Sequence, residues 1–212
     1  MTALSPVRKP ISLFEMDAGL SLPSYGAGVD SKIIDQRLDS MKKLISTSVE
    51  NLSTFAGPKI DAKDISSQLR LKLTSFKRMT ATVAMHLDAN WRESLFKTLD
   101  RLIDPEDWAE DFELPTEKSF STFLRMIIYL HPTKRPGIGI APNGNFIGSW
   151  RRDDDRIVIE CLPNDQVRWV LSKTTDSFRE RAAAQVTINR IPDVIAPYEP
   201  EALFNDGDKI LA

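Results

Sequence analysis

Apolar residues recur at steps of three and four through the first half of the chain. Ile34, Leu38, Met41, Ile45, Val49 and Leu52 fall on one face of a helix predicted over residues 31–55. Asp30 or Ser31 can cap its start by accepting from an orphan backbone N–H. Gly57-Pro58 stops it, since glycine accepts the left-handed terminal conformation and proline cannot continue the ladder. A second helix begins near Asp61 or Asp64, with Ile65, Leu69, Leu73 and Phe76 in phase. A third covers residues 90–103, with Trp91, Leu95, Leu99 and Leu102 in phase, and ends before Pro105. Residues 80–89 extend the second helix or link it to the third. Three stripes of similar length can enclose one another, so an N-terminal helical bundle is expected.

The period then changes. Thr116 caps a helix reaching Tyr129, whose buried face is Phe120, Phe123, Leu124, Ile127 and Ile128, and which stops at His131-Pro132. Beyond it the apolar positions alternate. Ile138 and Ile140 precede the turn sequence Pro142-Asn143-Gly144-Asn145, where Asn-Gly tolerates positive φ. A strand over residues 146–151, the turn Asp153-Asp154-Asp155, and a strand carrying Ile157, Ile159 and Cys161 follow. Pro163-Asn164-Asp165 turns the chain into a strand with Val167, Trp169 and Leu171. Four short strands joined by tight turns predict an antiparallel meander packed on helix 116–130. After Lys173 the pattern weakens, admitting a further strand at residues 186–189 and a short helix at 192–198. The class is therefore α+β. Residues 1–29 read as a flexible arm, 30–104 as the helical region, 105–200 as helix plus meander, and 201–212 as a loose tail.

Composition narrows the functions. Thirty acids and 28 bases give a net charge of -2, against a dedicated DNA-coating protein. A single cysteine forms no internal disulfide or multi-cysteine zinc site, which favours a reducing compartment. The first 28 residues, broken by Pro6, Pro10, Pro23, Gly19, Gly26 and Gly28, lack the apolar core of a secretory signal, and no apolar run is long enough to span a membrane. A cytoplasmic protein with no membrane partner is expected.

Catalytic grammar is sparse. The two histidines are His86, in an apolar stretch, and His131, at a helix C-terminus where an imidazolium gains from the dipole. Cys161 alternates with apolar strand residues and reads as a small buried hydrophobe. Asp153, Asp154 and Asp155 are the one tempting metal cluster, but adjacent strand residues point to opposite faces. They read as a solvated hairpin tip beside Arg151, Arg152 and Arg156. No catalytic residue, metal or cofactor is assigned. For nucleic acid, Arg70, Lys72, Lys77 and Arg78 give the second helix a basic end, and Trp150 with Arg151 and Arg152 offers a stacking and phosphate site. The opposite patch is acidic: Asp104, Glu106, Asp107, Glu110, Asp111 and Glu113, around Trp108 and Phe112.

Two stretches resemble known patterns. Asp107-Trp108, Pro115, Phe123-Leu124, Pro132, Pro136, Ile138, Ile140, Pro142, Gly144 and Trp150 resemble a pattern found in small bacterial proteins of unassigned function: Asp-Trp, a proline-started helix, Pro-x-Gly and a strand ending in tryptophan. Ala109-Glu110 replaces the glycine usual after Asp-Trp. The resemblance implies bacterial or phage origin and carries over no catalytic residue. In the arm, Ile11-Ser12-Leu13-Phe14 resembles the last four positions of the bacterial sliding-clamp-binding pentapeptide, with Pro10 where glutamine is usual. That resemblance implies partner binding by Ile11, Leu13 and Phe14. The plainer reading is that Leu13 and Phe14 clip the arm to the core. The expectation is a non-catalytic factor that binds another protein, either a sliding clamp of the DNA replication machinery or the cognate member of a toxin–antitoxin or defence module. The alternative is a small nuclease-type toxin using His86 or His131 with nearby arginines.

Overall fold

The computed structural model describes residues 36, 39–45, 47, 64–109, 111–175 and 178–205. The protein is α+β, with helices packed on one side of a five-stranded antiparallel sheet. The described residues between 36 and 47 are helical, with Met41 and Ile45 buried. The rest of helix 31–55, and with it part of the expected bundle, lies outside the described residues.

Helix α1 (Ile65–Thr82) starts where Asp64 accepts from the backbone N–H groups of Ser66 and Ser67. Leu69, Phe76 and Met79 form its buried stripe. Residues 80–89 do both things foreseen: α1 runs to Thr82, then a single 3₁₀ turn (Ala84–His86) links it to α2 (Ala89–Leu102). Asp88 caps α2 through Asn90 and Trp91, and Trp91, Leu95 and Leu99 turn inward. Helix α3 (Glu117–Leu130) lies at the centre. Thr116 caps it through Ser119, and ten of its fourteen residues are buried. It ends at His131, whose left-handed conformation (φ 44°) lets its N–H donate to Ile127.

The strands are β1 (Gly137–Ile140), β2 (Phe146–Arg152), β3 (Asp155–Cys161), β4 (Gln166–Thr175) and β5 (Phe178–Thr187), in chain order across the sheet. Each pairs only with its neighbours in sequence, which is a meander. Trp150, Ile157, Ile159, Cys161, Val167, Trp169 and Leu171 point to the helical side and are buried. Phe76, Phe120, Phe123 and Phe146 join α1, α3 and β2 in one aromatic cluster, with centroid separations between 4.7 and 6.1 Å for the contacting pairs. Truncating such a ring costs about 3–5 kcal/mol, so this cluster sets the orientation of sheet and helices.

Two polar devices pin the layers. The buried Ser119 hydroxyl donates to the Cys161 carbonyl (2.5 Å) and accepts from the Phe146 N–H (2.7 Å), joining α3 to β2 and β3. The second is ionic. Arg125, 2% exposed in the middle of α3, contacts the Asp165 carboxylate in the β3–β4 turn. Burial pulls the guanidinium pKa down, and the charges of Asp165 and Asp39 oppose that. Lys42 reaches the same carboxylate at 3.6 Å. One aspartate thereby holds the helical residues 39–45 and α3 to the sheet. Gly144 (φ 74°) serves the β1–β2 turn, where an added Cβ would lie 2.4 Å from the Leu114 carbonyl oxygen.

Two expectations for the C-terminal part change. The further strand admitted at residues 186–189 begins earlier and ends sooner, spanning residues 178–187, while residues 188–190 form a 3₁₀ turn. The short helix expected at 192–198 is α4 (Ile191–Ile195) followed by another 3₁₀ turn (Ala196–Tyr198). Residues 201–204, read as part of a loose tail, form the helical turn α5 (Glu201–Phe204). Leu203 and Phe204 are buried, and the Phe204 ring meets Trp150 edge-on at 4.9 Å. Two apolar residues beside an aromatic strand end are enough to dock the turn.

Candidate functional site

Because strand side chains alternate, everything that does not face the helices is presented on the other face of the sheet. The register sorts those residues into cross-strand rows. One row is Arg151 on β2, Arg156 on β3, Ser172 on β4 and Arg181 on β5. The next is Ser149, Val158, Val170 and Ala183, with Gly137 of β1 at its end. A third is Ile147, Glu160, Arg168 and Gln185, with Gly139 at its end. Thr174 and Arg179 extend the basic side by one more pair. Arg151, Arg156, Arg168, Arg179 and Arg181 are exposed, as is Val170 at 48%. Five arginines and one glutamate thus share a face of a chain whose overall charge is -2.

Most of these groups are held in place. Arg151 Nε donates to the Asp153 carbonyl (2.9 Å), and Arg179 Nη2 donates to the Asp154 carbonyl (3.0 Å). The backbone of the hairpin tip therefore anchors this end of the basic row, while Asp155 accepts from the Thr174 N–H at 2.7 Å. Glu160 is the organised acid of the face. Its Oε1 accepts from Asn143 and Asn145, both at 2.9 Å, and its Oε2 meets Arg168 at 3.3 Å. Burial raises this carboxyl's pKa, but the two amide bonds and the Arg168 charge outweigh it and leave the group below the ordinary carboxylate value. The side chains of Arg156 and Arg181 make no hydrogen bond or ion pair with another described residue. Arg151 stands directly opposite Arg156, an arrangement of like charges that destabilises a sheet.

The residues singled out in the sequence separate. Trp150 is 1% exposed, and its indole N–H donates to the Lys134 carbonyl at 2.8 Å, so its ring offers no stacking surface. Arg152 falls on the helical side of the sheet, where Nη1 approaches the Ala202 carbonyl at 3.4 Å. Only Arg151 of that trio lies on the open face. On α1, Lys72 pairs with Glu117 (3.4 Å) and Lys77 with Asp100 (2.5 Å), while Arg70 and Arg78 are exposed. The helix end is a solvated face with two of its four cations engaged. Ile11, Leu13 and Phe14 lie outside the described residues. Arg156, Arg168, Arg179 and Arg181, which complete the basic face, are scattered in sequence, and only strand pairing unites them.

The remaining candidates have structural surroundings. The Cys161 thiol is fully buried, 3.8 Å from the Met126 sulfur, and burial raises its pKa, so it is poorly suited to thiolate chemistry. Partial burial lowers the His131 pKa at the end of α3, and His86 sits in the 3₁₀ link. Among the described residues no group of three or more His, Cys, Asp or Glu side chains is placed to hold a metal ion. In the acidic stretch, Trp108 and Phe112 meet edge-on at 6.2 Å, and the Glu113 N–H donates to the Pro142 carbonyl at 2.8 Å. That stretch is an anchored loop. No described helix is long and apolar enough to cross a membrane. Comparison with family models, curated proteins and solved structures returns no match.

Proposed function

We propose that this protein acts by binding another protein rather than by catalysis, and that the uncovered face of its sheet is a contact surface. The carrying observation is the one-sidedness of the sheet. Helices bury one face, while the other presents aliphatic and arginine side chains that no described element covers. An amphipathic sheet with charged residues on its open face is common enough. Here, however, like charges stand opposite each other and Val170 is exposed in the adjoining row. Arginine is also the cation enriched at protein interfaces, where lysine is depleted.

The partner classes suggested by the sequence remain those to try: a bacterial sliding clamp, engaged by Ile11, Leu13 and Phe14, or the cognate member of a toxin–antitoxin or defence module. A photo-crosslinking residue at position 170 tests the surface, with one at Leu71, exposed to 52% on α1, as the control. A discrete protein adduct from position 170 and none from position 71 is expected. Equal labelling from both, or none from position 170, removes the sheet face from the reading. Calorimetric titration with purified clamp tests the arm. Binding that Leu13→Ala/Phe14→Ala abolishes supports it, and no heat in the parent protein rejects the clamp as partner.

A further inference from the structure

The rows of the open face specify more than a contact surface. Successive same-face residues along a strand are about 6.7 Å apart, and neighbouring strands about 4.8 Å apart. The arginine row and the Val158–Val170–Ala183 row therefore run side by side for about 15–20 Å. Anything lying along the aliphatic row has its flank over Arg151, Arg156 and Arg181. We propose that this face takes an acidic, amphipathic segment of another protein, with aliphatic side chains on Val158, Val170 and Ala183 and carboxylates on the arginine row. This rests on the binding reading above and names the chemistry of the partner.

Three observations select that occupant. The first is charge. Arg156 and Arg181 have no carboxylate among the described residues, and an anion over the row would relieve the repulsion between Arg151 and Arg156. A second copy docked face to face would instead set arginines against arginines. The second is the absence of aromatics: Ile147, Ser149, Val158, Val170, Ser172, Ala183 and Gln185 supply no ring on which a base could stack, and the chain as a whole is negative. Single-stranded nucleic acid is held by aromatic platforms and many phosphate contacts together. The third is size. Three rows across the strands cover about 400 Å², roughly half of what each partner buries in a standard stable complex. That suits a single segment, since a helix of about 13 residues spans about 20 Å.

The test uses the full-length protein and fluorescence anisotropy. The probe is a fluorescein-labelled helical peptide with leucines along one stripe and glutamates flanking it. Two comparison probes are the same peptide with glutamine for glutamate and a labelled oligothymidylate of similar extended length. The acidic peptide should bind saturably and weaken as salt rises, and the glutamine version should bind at least tenfold more weakly. Arg156→Glu and Arg181→Glu should each weaken the acidic peptide tenfold or more, with Arg156→Gln intermediate, while Arg70→Glu leaves it unchanged. Thermal unfolding of Arg156→Gln at or above the parent's midpoint separates lost binding from lost fold. No saturable binding, binding indifferent to the Arg156 and Arg181 changes, or tighter binding of oligothymidylate lost in those same variants would overturn the assignment. A crosslink from position 170 that persists while the acidic peptide fails would leave the binding reading standing and reject only the acidic partner.

Discussion

Asp165→Asn is the most informative single change in this protein. Asparagine keeps the shape of the side chain and tolerates the left-handed backbone at position 165 (φ 61°), so the β3–β4 turn survives. What disappears is the negative charge beside Arg125, whose side chain is 2% exposed and whose Nε and Nη1 have no hydrogen-bond partner among the described residues. Removing one member of a buried pair leaves the other charge uncompensated and costs about 3–5 kcal/mol. Asp165 is 22% exposed and Asp39 also acts on Arg125, which puts the expectation near the lower end, about 3 kcal/mol. In a chain of this size each kcal/mol moves the midpoint by about 2–4 °C, so the thermal transition should fall by about 6–12 °C. Scanning calorimetry or circular dichroism at neutral pH reads this directly. The companion variant Arg125→Met/Asp165→Asn should recover most of the loss, because with both charges removed no buried charge is left uncompensated. If Asp165→Asn stays within about 1 kcal/mol of the parent, the Asp165 contact does not stabilise the layers and the argument fails.

Ser119→Ala should cost about 1–3 kcal/mol, because the buried Phe146 N–H would lose its acceptor while the Cys161 carbonyl loses a donor. Chemical denaturation checks it, and Ser119→Thr, if accommodated, should retain part of the difference. Glu160 makes stability depend on pH in a fixed direction. Its folded pKa lies below the unfolded value, so its contribution is present at neutral pH and is lost as pH falls through the carboxylate range. Glu160→Gln should therefore flatten the acid side of the stability profile, and an unchanged slope between parent and variant would contradict this.

The helices were legible because burial on one side imposes a period that a sequence displays. Asp64, Asp88 and Thr116 cap where side-chain chemistry says they can. Strands β1 to β4 were visible for the same reason, through large apolar residues alternating with polar residues or glycine. Strand β5 was not. Its inward positions are Ala182, Ala184 and Val186, and its neighbours are arginine, glutamate and alanine, all good helix formers. Small inward residues suffice because Trp169 and Leu171 on β4 fill the space beside them. The alternation was present but carried too little hydrophobic contrast to register. The open-face site was hidden differently. Trp150 and Arg151 are neighbours in sequence, and the strand's pleat sends them to opposite faces. Arg156 and Arg181 are far apart in the chain, and two hairpins bring them within one row. Adjacency along the chain misled where alternation, applied to residues 150–152, already held the answer.

The turn at residues 201–204 bears on biosynthesis. A meander assembles from neighbouring hairpins as the chain emerges, yet Trp150 is completed only when Phe204 docks and its carbonyl accepts from the Lys134 N–H. A nascent or proteolysed chain ending before Leu203 would leave an indole and the surrounding apolar edge wet. Such shortened products should be sticky and short-lived, making this turn the latch that closes over the indole.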